Sequence, residues 1–342
     1  MLYLNKVNSE LLFEALGRNY SVVFPIAKGD QLYFSTSEKD ALSEIEIGGA
    51  RAIDPLKAFF FRCREEVARG FDPENPNENV KPLCVIGAKA CDLKGFAVLD
   101  HVFMDPDYGD PTYRRLRESS LIISSDCTSA LGTCFCLAVG VEPHPLQDFD
   151  LNFSPVDGGF IVETGSERGR GLIRKHPDYF SEPTSVHIAE RQKTRAAVAD
   201  SVRAGMTDAE VPSQDSMHGA VKRNYESDIW NDEAATCVEC GACNTICPTC
   251  HCFLLYDQES AGKLARYRIW DSCLVKDFAR VAGGDNPRDR LWKRLRNRFD
   301  KKFDYFKEVM DQYACTGCGR CISACPGKID IRQVLKRLVT NG

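Results

Sequence analysis

The sequence predicts an α+β N-terminal domain followed by a mostly α-helical C-terminal domain. Three observations carry that reading. Over residues 1–205, short apolar runs alternate with stretches of helical spacing. Beyond residue 236, two matching cysteine runs begin 78 residues apart, and the chain around them reads as helical. A polar stretch, "MTDAEVPSQDSMHG", separates the two regions. A length of 342 residues fits about two domains. The expected division is 1–205, a linker at 206–224, and 225–342.

In chain order, "SELLFEALGRNY" has helical spacing. "YSVVFPI" and "QLYFS" read as strands around a turn at Gly29-Asp30. "FDPENPNENV" (71–80) is a loop by composition. "PLCVIGA" is a short buried strand, "CDLKGFAVLDHVF" a helix, and "SLIIS" another strand. "LNFSPVDGGFIVETG" reads as a hairpin turning at Asp157-Gly158-Gly159. "HIAERQKTRAAVADSVRAG" reads as a charged helix ending at Gly205. "ETGSERGRG" (163–171) lacks the spacing of a phosphate loop and is read as a turn after a strand.

The cysteine runs carry the chemistry. "CVECGACNTICP" spaces Cys237, Cys240 and Cys243 by two residues, with Cys247 and Pro248 after three more. "CTGCGRCISACP" repeats the pattern with Cys315, Cys318, Cys321, Cys325 and Pro326. This is the run of bacterial two-cluster ferredoxins, in which the fourth cysteine of each run ligates the other cluster. It assigns Cys237, Cys240, Cys243 and Cys325 to one [4Fe-4S] cluster, and Cys315, Cys318, Cys321 and Cys247 to a second. Zinc needs only four ligands and no such repeat. The long insert between the runs favours an α-helical two-cluster ferredoxin domain over a small ferredoxin.

Composition narrows the function. No run approaches the ~18 apolar residues of a membrane span, and the charged N-terminal stretch does not look like a signal peptide. The expectation is a cytoplasmic protein without direct membrane insertion. Seventeen cysteines in a reducing compartment point to metal rather than disulfides. Net charge is −5, yet residues 286–302 hold eight Lys/Arg against two Asp, a local +6. The plain expectation for that stretch is a solvated helix face. The functional alternative is a basic collar that offsets cluster charge or docks an acidic partner. With no nucleic-acid module and an acidic chain, nucleic acid is not an expected partner. No Ser-His-Asp or Cys-His arrangement emerges, so no catalytic residue is assigned.

Nine cysteines lie outside these assignments. Cys91, Cys127, Cys134 and Cys136 are enough for one more cluster, and Cys91 and Cys127 each follow a candidate strand. The alternative is buried core thiols, although the C-x-C step at Cys134 and Cys136 is unusual for passive core. Cys250, Cys252 and Cys273 cannot complete a four-cysteine site alone and are expected to be structural. Cys63 and Cys84 are expected in the core. Arg320 and Lys328, within and just beyond the second run, are expected to raise the potential of a nearby cluster or to be surface charge.

"GAKACDLKGFAVLD", "CTSALGTCFC", "CNTICPTCHCF", "RYRIWDSC" and "CTGCGRCISACP" together resemble one family. It comprises the iron–sulfur beta subunits of cytoplasmic [NiFe] hydrogenases (sulfhydrogenases) and the A subunit of anaerobic sulfite reductase. The resemblance covers roughly residues 80–340. It implies an electron-transfer subunit in a hetero-oligomer, relaying single electrons between a flavin/NAD(P)-binding subunit and a catalytic metalloprotein subunit of hydrogenase or sulfite-reductase type. It also favours Cys91, Cys127, Cys134 and Cys136 as a third [4Fe-4S] site. Similar subunits of heterodisulfide- or formate-linked flavin complexes remain an alternative, as does an enzyme using an unusual cluster in the N-terminal domain.

Overall fold

The structure is a computed structural model that describes residues 1–70, 81–260 and 262–341. These fall into two compact units. The first is drawn from residues 1–60, 81–131 and 141–202, the second from 61–70, 132–140 and 203–341. The expected loop at 71–80 lies outside the described residues. No helix among the described residues is long and apolar enough to cross a membrane.

The strands in chain order are β1 (Leu2–Asn5), β2 (Ser21–Lys28), β3 (Gln31–Thr36), β4 (Arg64–Arg69), β5 (Leu83–Ala88) and β6 (Leu121–Ser125). β7 (Leu151–Val156), β8 (Gly159–Thr164), β9 (Phe180–Ser181), β10 (Phe253–Ser260) and β11 (Lys263–Trp270) follow. The first unit holds a mixed sheet in the order β3-β2-β5-β6-β7-β8-β1-β9. Its centre is parallel: β2 pairs β5, β5 pairs β6 and β6 pairs β7. Every residue of β5 and β6 is buried, as expected for parallel strands covered on both faces. The hairpins β2–β3 and β7–β8 fall where the sequence placed them.

Helix Lys6–Asn19 begins at Asn5, whose Oδ1 accepts the Asn8 N–H at 2.8 Å. Its buried Leu12, Phe13 and Leu16 join Val22, Phe24, Ile86, Ile123 and Phe153 in the core. Phe153 is fully buried and stacks on Phe13 and Phe160. Helix Ser185–Asp208 runs three residues past Gly205. From it, Arg195 holds buried Asp126 at 2.7 Å and Glu163 at 2.8 Å. Residues 206–224, read as a linker, carry two short helices whose Met217, Ala220 and Val221 are fully buried.

The second unit differs from the mostly helical expectation. It contains an antiparallel sheet in the order β10-β11-β4. β10 lies at the sheet edge with Phe253, Leu254 and Leu255 exposed, so it lacks the alternation that marks a half-buried strand. The helices are mostly short. The longest continuous helical stretch is Leu291–Asp300, a π-helical turn Lys301–Tyr305, and Phe306–Met310. Cys84 is buried as expected, but Cys63 is exposed, because it sits just before β4 at the margin of this sheet.

Phe153→Ala removes a ring from the centre of the first unit. It should cost about 3–5 kcal/mol by the cavity rule, read as a lower denaturant midpoint for the full chain.

Candidate metal centre

The two cysteine runs fold into the same local shape. Gly241 and Gly319 each take a left-handed conformation, with φ of 71° and 67°. Each opens a four-residue helix, Ala242–Thr245 or Arg320–Ser323. Asn244 N–H donates to Gly241 O at 2.9 Å, and Ile322 N–H to Gly319 O at 3.0 Å. The last cysteine closes each turn: Cys247 N–H donates to Asn244 O, and Cys325 N–H to Ile322 O, both at 3.3 Å. The two small helices lie against each other. A turn of this kind points several sulfurs and backbone amides to one side.

Cys237, Cys240, Cys243 and Cys325 line one cavity, with Cys321 and Arg298 beside them. Cys247, Cys315, Cys318 and Cys321 share a second neighbourhood, in which Cys321 feels Cys247 and Cys318, and Cys315 feels Cys321 and Cys247. Burial pushes Cys243 up to about 11 and Cys315 up to about 12. Such thiols stay protonated on their own and lose the proton to a metal that binds them.

The basic stretch at 286–302 is a solvated face only in part, since four of its eight basic residues are buried. Arg294, Arg296, Arg298 and Lys302 are all at least 93% buried. Arg294 donates to Leu274 O at 3.0 Å and pairs with Glu239 at 2.7 Å. Arg298 Nε donates to Asn244 Oδ1 at 2.9 Å. Lys302, on the π-helical turn, donates to Cys247 Sγ at 3.2 Å, Thr249 Oγ1 at 2.9 Å and Ala314 O at 3.1 Å. Burial alone would depress Lys302, but Cys247 and Cys250 hold it above the ordinary lysine range. Burial likewise opposes Arg298, and Cys243, Cys321, Cys250 and Cys247 more than offset it. Cysteine sulfur thus faces both cations, and thiolates bound to a metal there would balance them, a charge pattern that fits an iron–sulfur site. Arg320 is fully buried within the second run, whereas Lys328 is exposed.

Cys91, Cys127, Cys134 and Cys136 form two pairs, one in each unit. In the first unit, β5 and β6 are parallel neighbours, so the segments carrying Cys91 and Cys127 leave the same end of the sheet. Lys89 sits in the field of both sulfurs. Its Nζ is buried and donates to Ile47 O at 3.0 Å, Ser125 Oγ at 2.9 Å and Asp126 O at 2.8 Å. In the second unit, Cys134 and Cys136 lie against the second run. Phe135 N–H donates to Gly317 O at 2.8 Å, and Arg332 donates to Gly132 O at 2.8 Å. A Cβ on Gly317 would fall 2.4 Å from Cys136 Cα, and one on Gly319 would fall 2.2 Å from Thr133 O.

Three thiols absent from the sequence-level site also converge. Cys250, Cys252 and Cys273 line a cavity of about 370 Å³ with Arg288, Lys301 and Lys302. Their only signal in the sequence is the local density of "CPTCHC" and a recurrence in "WDSC"; the hairpin β10–β11 that joins them is what the sequence reading missed.

Gly319→Ala should lose about 2 kcal/mol or more, because it meets backbone at a left-handed position. Gly205→Ala, with nothing within 4 Å on the helix Ser185–Asp208, should instead gain about 0.5–1 kcal/mol. Parallel thermal melts of the two variants check the contrast.

Residues 236–329 match the 4Fe-4S dicluster domain family. Across 303 residues the chain is 27% identical to the sulfhydrogenase 2 subunit beta of Pyrococcus furiosus, covering 87% of this chain and 86% of that one. Both matches support an iron–sulfur electron-transfer subunit. On these findings the chain is similar to that beta subunit and carries a region that resembles a 4Fe-4S dicluster domain.

Proposed function

We propose that this chain relays single electrons within a hetero-oligomeric oxidoreductase, between a flavin/NAD(P)-binding subunit and a catalytic metalloprotein subunit of hydrogenase or sulfite-reductase type. The observation that carries the reading is a set of sulfurs paired with buried cations: Cys237, Cys240, Cys243 and Cys325 around one cavity, and Cys247, Cys315, Cys318 and Cys321 beside Lys302. These two sets would hold one [4Fe-4S] cluster each. Such clusters supply one-electron reduction and oxidation. The residues of the chain fix the sulfur positions and set the local charge. Lys302 and Arg298 favour the more negative, reduced state, since each is a cation buried near ligand sulfur, and Arg320, buried within the second run, adds a third positive charge. A likeness to a beta subunit is consistent with work inside a complex rather than alone.

The deciding experiment is iron and acid-labile sulfide per chain, on protein purified anaerobically without reconstitution. About eight of each fits the two runs. About twelve adds a third cluster, which the resemblance favours at Cys91, Cys127, Cys134 and Cys136. Iron near zero rejects the electron-relay reading. Copurification with a flavoprotein and a larger metalloprotein tests the partners.

Lys302→Met removes the cation that touches Cys247. By Coulomb's law at an effective dielectric near 20, a unit charge about 4–7 Å from the redox centre is worth about 2–4 kcal/mol, so one midpoint should fall by roughly 100–180 mV. Arg320→Ala should shift a midpoint in the same direction. Potentiometric EPR reads both, and an unchanged pair of midpoints would remove these cations from the account.

A further inference from the structure

Cys252 and Cys273 belong to neither cysteine run, yet the fold brings them together. Cys252 continues the β10–β11 ladder: Asp271 N–H donates to Cys252 O at 3.0 Å, one step beyond the pair Phe253 and Trp270. The chain then turns, and Cys273 returns as the hydrogen-bond partner of the Cys252 thiol. Asn244 Nδ2 donates to Cys273 Sγ at 3.1 Å and to Ser272 Oγ at 2.9 Å. The amide cannot turn its oxygen to that sulfur, because Oδ1 already accepts from Arg298 Nε. Cys273 Sγ thus accepts the Asn244 amide hydrogen bond with the Cys252 thiol beside it, an environment that favours thiolate over thiol. The pair faces the cavity of about 370 Å³, whose other walls carry Arg288, Arg298, Lys301 and Lys302. That volume lies at the small end of the ligand-pocket range, about 300–1,000 Å³.

We propose that Cys252 and Cys273 form a redox-active dithiol that cycles through an intramolecular disulfide in this cavity, and that its substrate class is a small anionic disulfide. The thiol pair supplies a nucleophile and a resolving group, and Arg288 and Lys301 on the cavity wall select the charge of the substrate. The Cys273 thiolate attacks one substrate sulfur, the substrate S–S bond breaks, and the first half leaves as a thiolate. Cys252 gives its proton to solvent and attacks the Cys273 sulfur. The Cys252–Cys273 bond forms, and the second half leaves as a thiolate. Two electrons, taken one at a time from a low-potential one-electron donor, then break the Cys252–Cys273 bond, and one proton restores the Cys252 thiol beside the Cys273 thiolate. The proposal rests on the electron-relay reading only for the source of those electrons.

The test uses the full chain, purified anaerobically, with dithiodiglycolate as the small anionic disulfide and reduced methyl viologen as the donor. Samples are quenched in acid, alkylated, digested and analysed by mass spectrometry, with iron and sulfide measured in parallel. The expected result is a peptide pair joined through Cys252 and Cys273 after dithiodiglycolate, depleted at least tenfold after the viologen. Cys252→Ser should trap the substrate half on Cys273, Cys250→Ser should leave the cross-link intact, and each variant should keep wild-type iron. A wild-type chain with full iron and no Cys252–Cys273 linkage overturns the proposal and leaves the electron-relay reading standing. Loss of iron from both Cys252→Ser and Cys273→Ser also overturns it, since the two would then be metal ligands. A wild-type chain without iron sinks the relay reading instead, and the linkage still decides the pair.

Discussion

Positive charge buried against sulfur is the constraint on which the second unit depends. An arginine and a lysine withdrawn from water need anions at hand, and removing a charge from water costs several kcal/mol per ion even after relaxation. Arg298 and Lys302 find theirs in cysteine sulfur. Helix Leu291–Asp300 and the π-helical turn after it exist in a form that delivers both cations to one place. Leu295, Phe299 and Phe303 anchor that stretch, with Phe299 packed on Trp230 and on Phe303. The insertion of a π turn changes the angular spacing along the helix, so Lys302 reaches Cys247 and Thr249 while Phe303 stays in the core. Packing and electrostatics in this unit are therefore one arrangement.

The cysteine runs were legible because ligand spacing is a local property. Two residues between thiols, a glycine that can turn left-handed and a proline after the fourth cysteine are all written in a dozen positions. The parallel strands β5 and β6 were legible for a similar reason, since a strand buried on both faces is a continuous apolar run. What failed was long-range or solvent-facing. β10 and β11 pair over eight residues, but β10 is an exposed edge with no alternating face. The charge of residues 286–302 read as a surface, because nothing in a linear stretch says that its arginines will meet sulfurs from a run about fifty residues upstream. The role of Asn244 was invisible for the same reason: it sits between two cysteines in sequence, and only the fold shows it holding Cys273 with one end and Arg298 with the other.

Pairing of the small segment 132–140 with the second run shows how little room such a site leaves. Gly317 and Gly319 sit against the backbone of Thr133, Phe135 and Cys136, closer than any side chain would allow. Their conformations and this contact ask for the same residue, so one requirement does not have to be traded for the other. Local turn chemistry and tertiary packing point to the same answer at these two positions, which is the kind of agreement between levels that specifies a single structure.

The two runs hold their shared turns together whatever lies between them, and this has a consequence for the length of the chain in between. Once Ala242–Thr245 and Arg320–Ser323 are in contact, the intervening segment is a closed loop. The entropy of closing a flexible loop grows only with the logarithm of its length, about 0.6 kcal/mol for each doubling. A compact pair of cysteine turns can therefore accept a hairpin and a long helix between its halves at small entropic expense. The insert that carries β10, β11 and the buried cations is, in this sense, a graft on a loop whose ends were already tied.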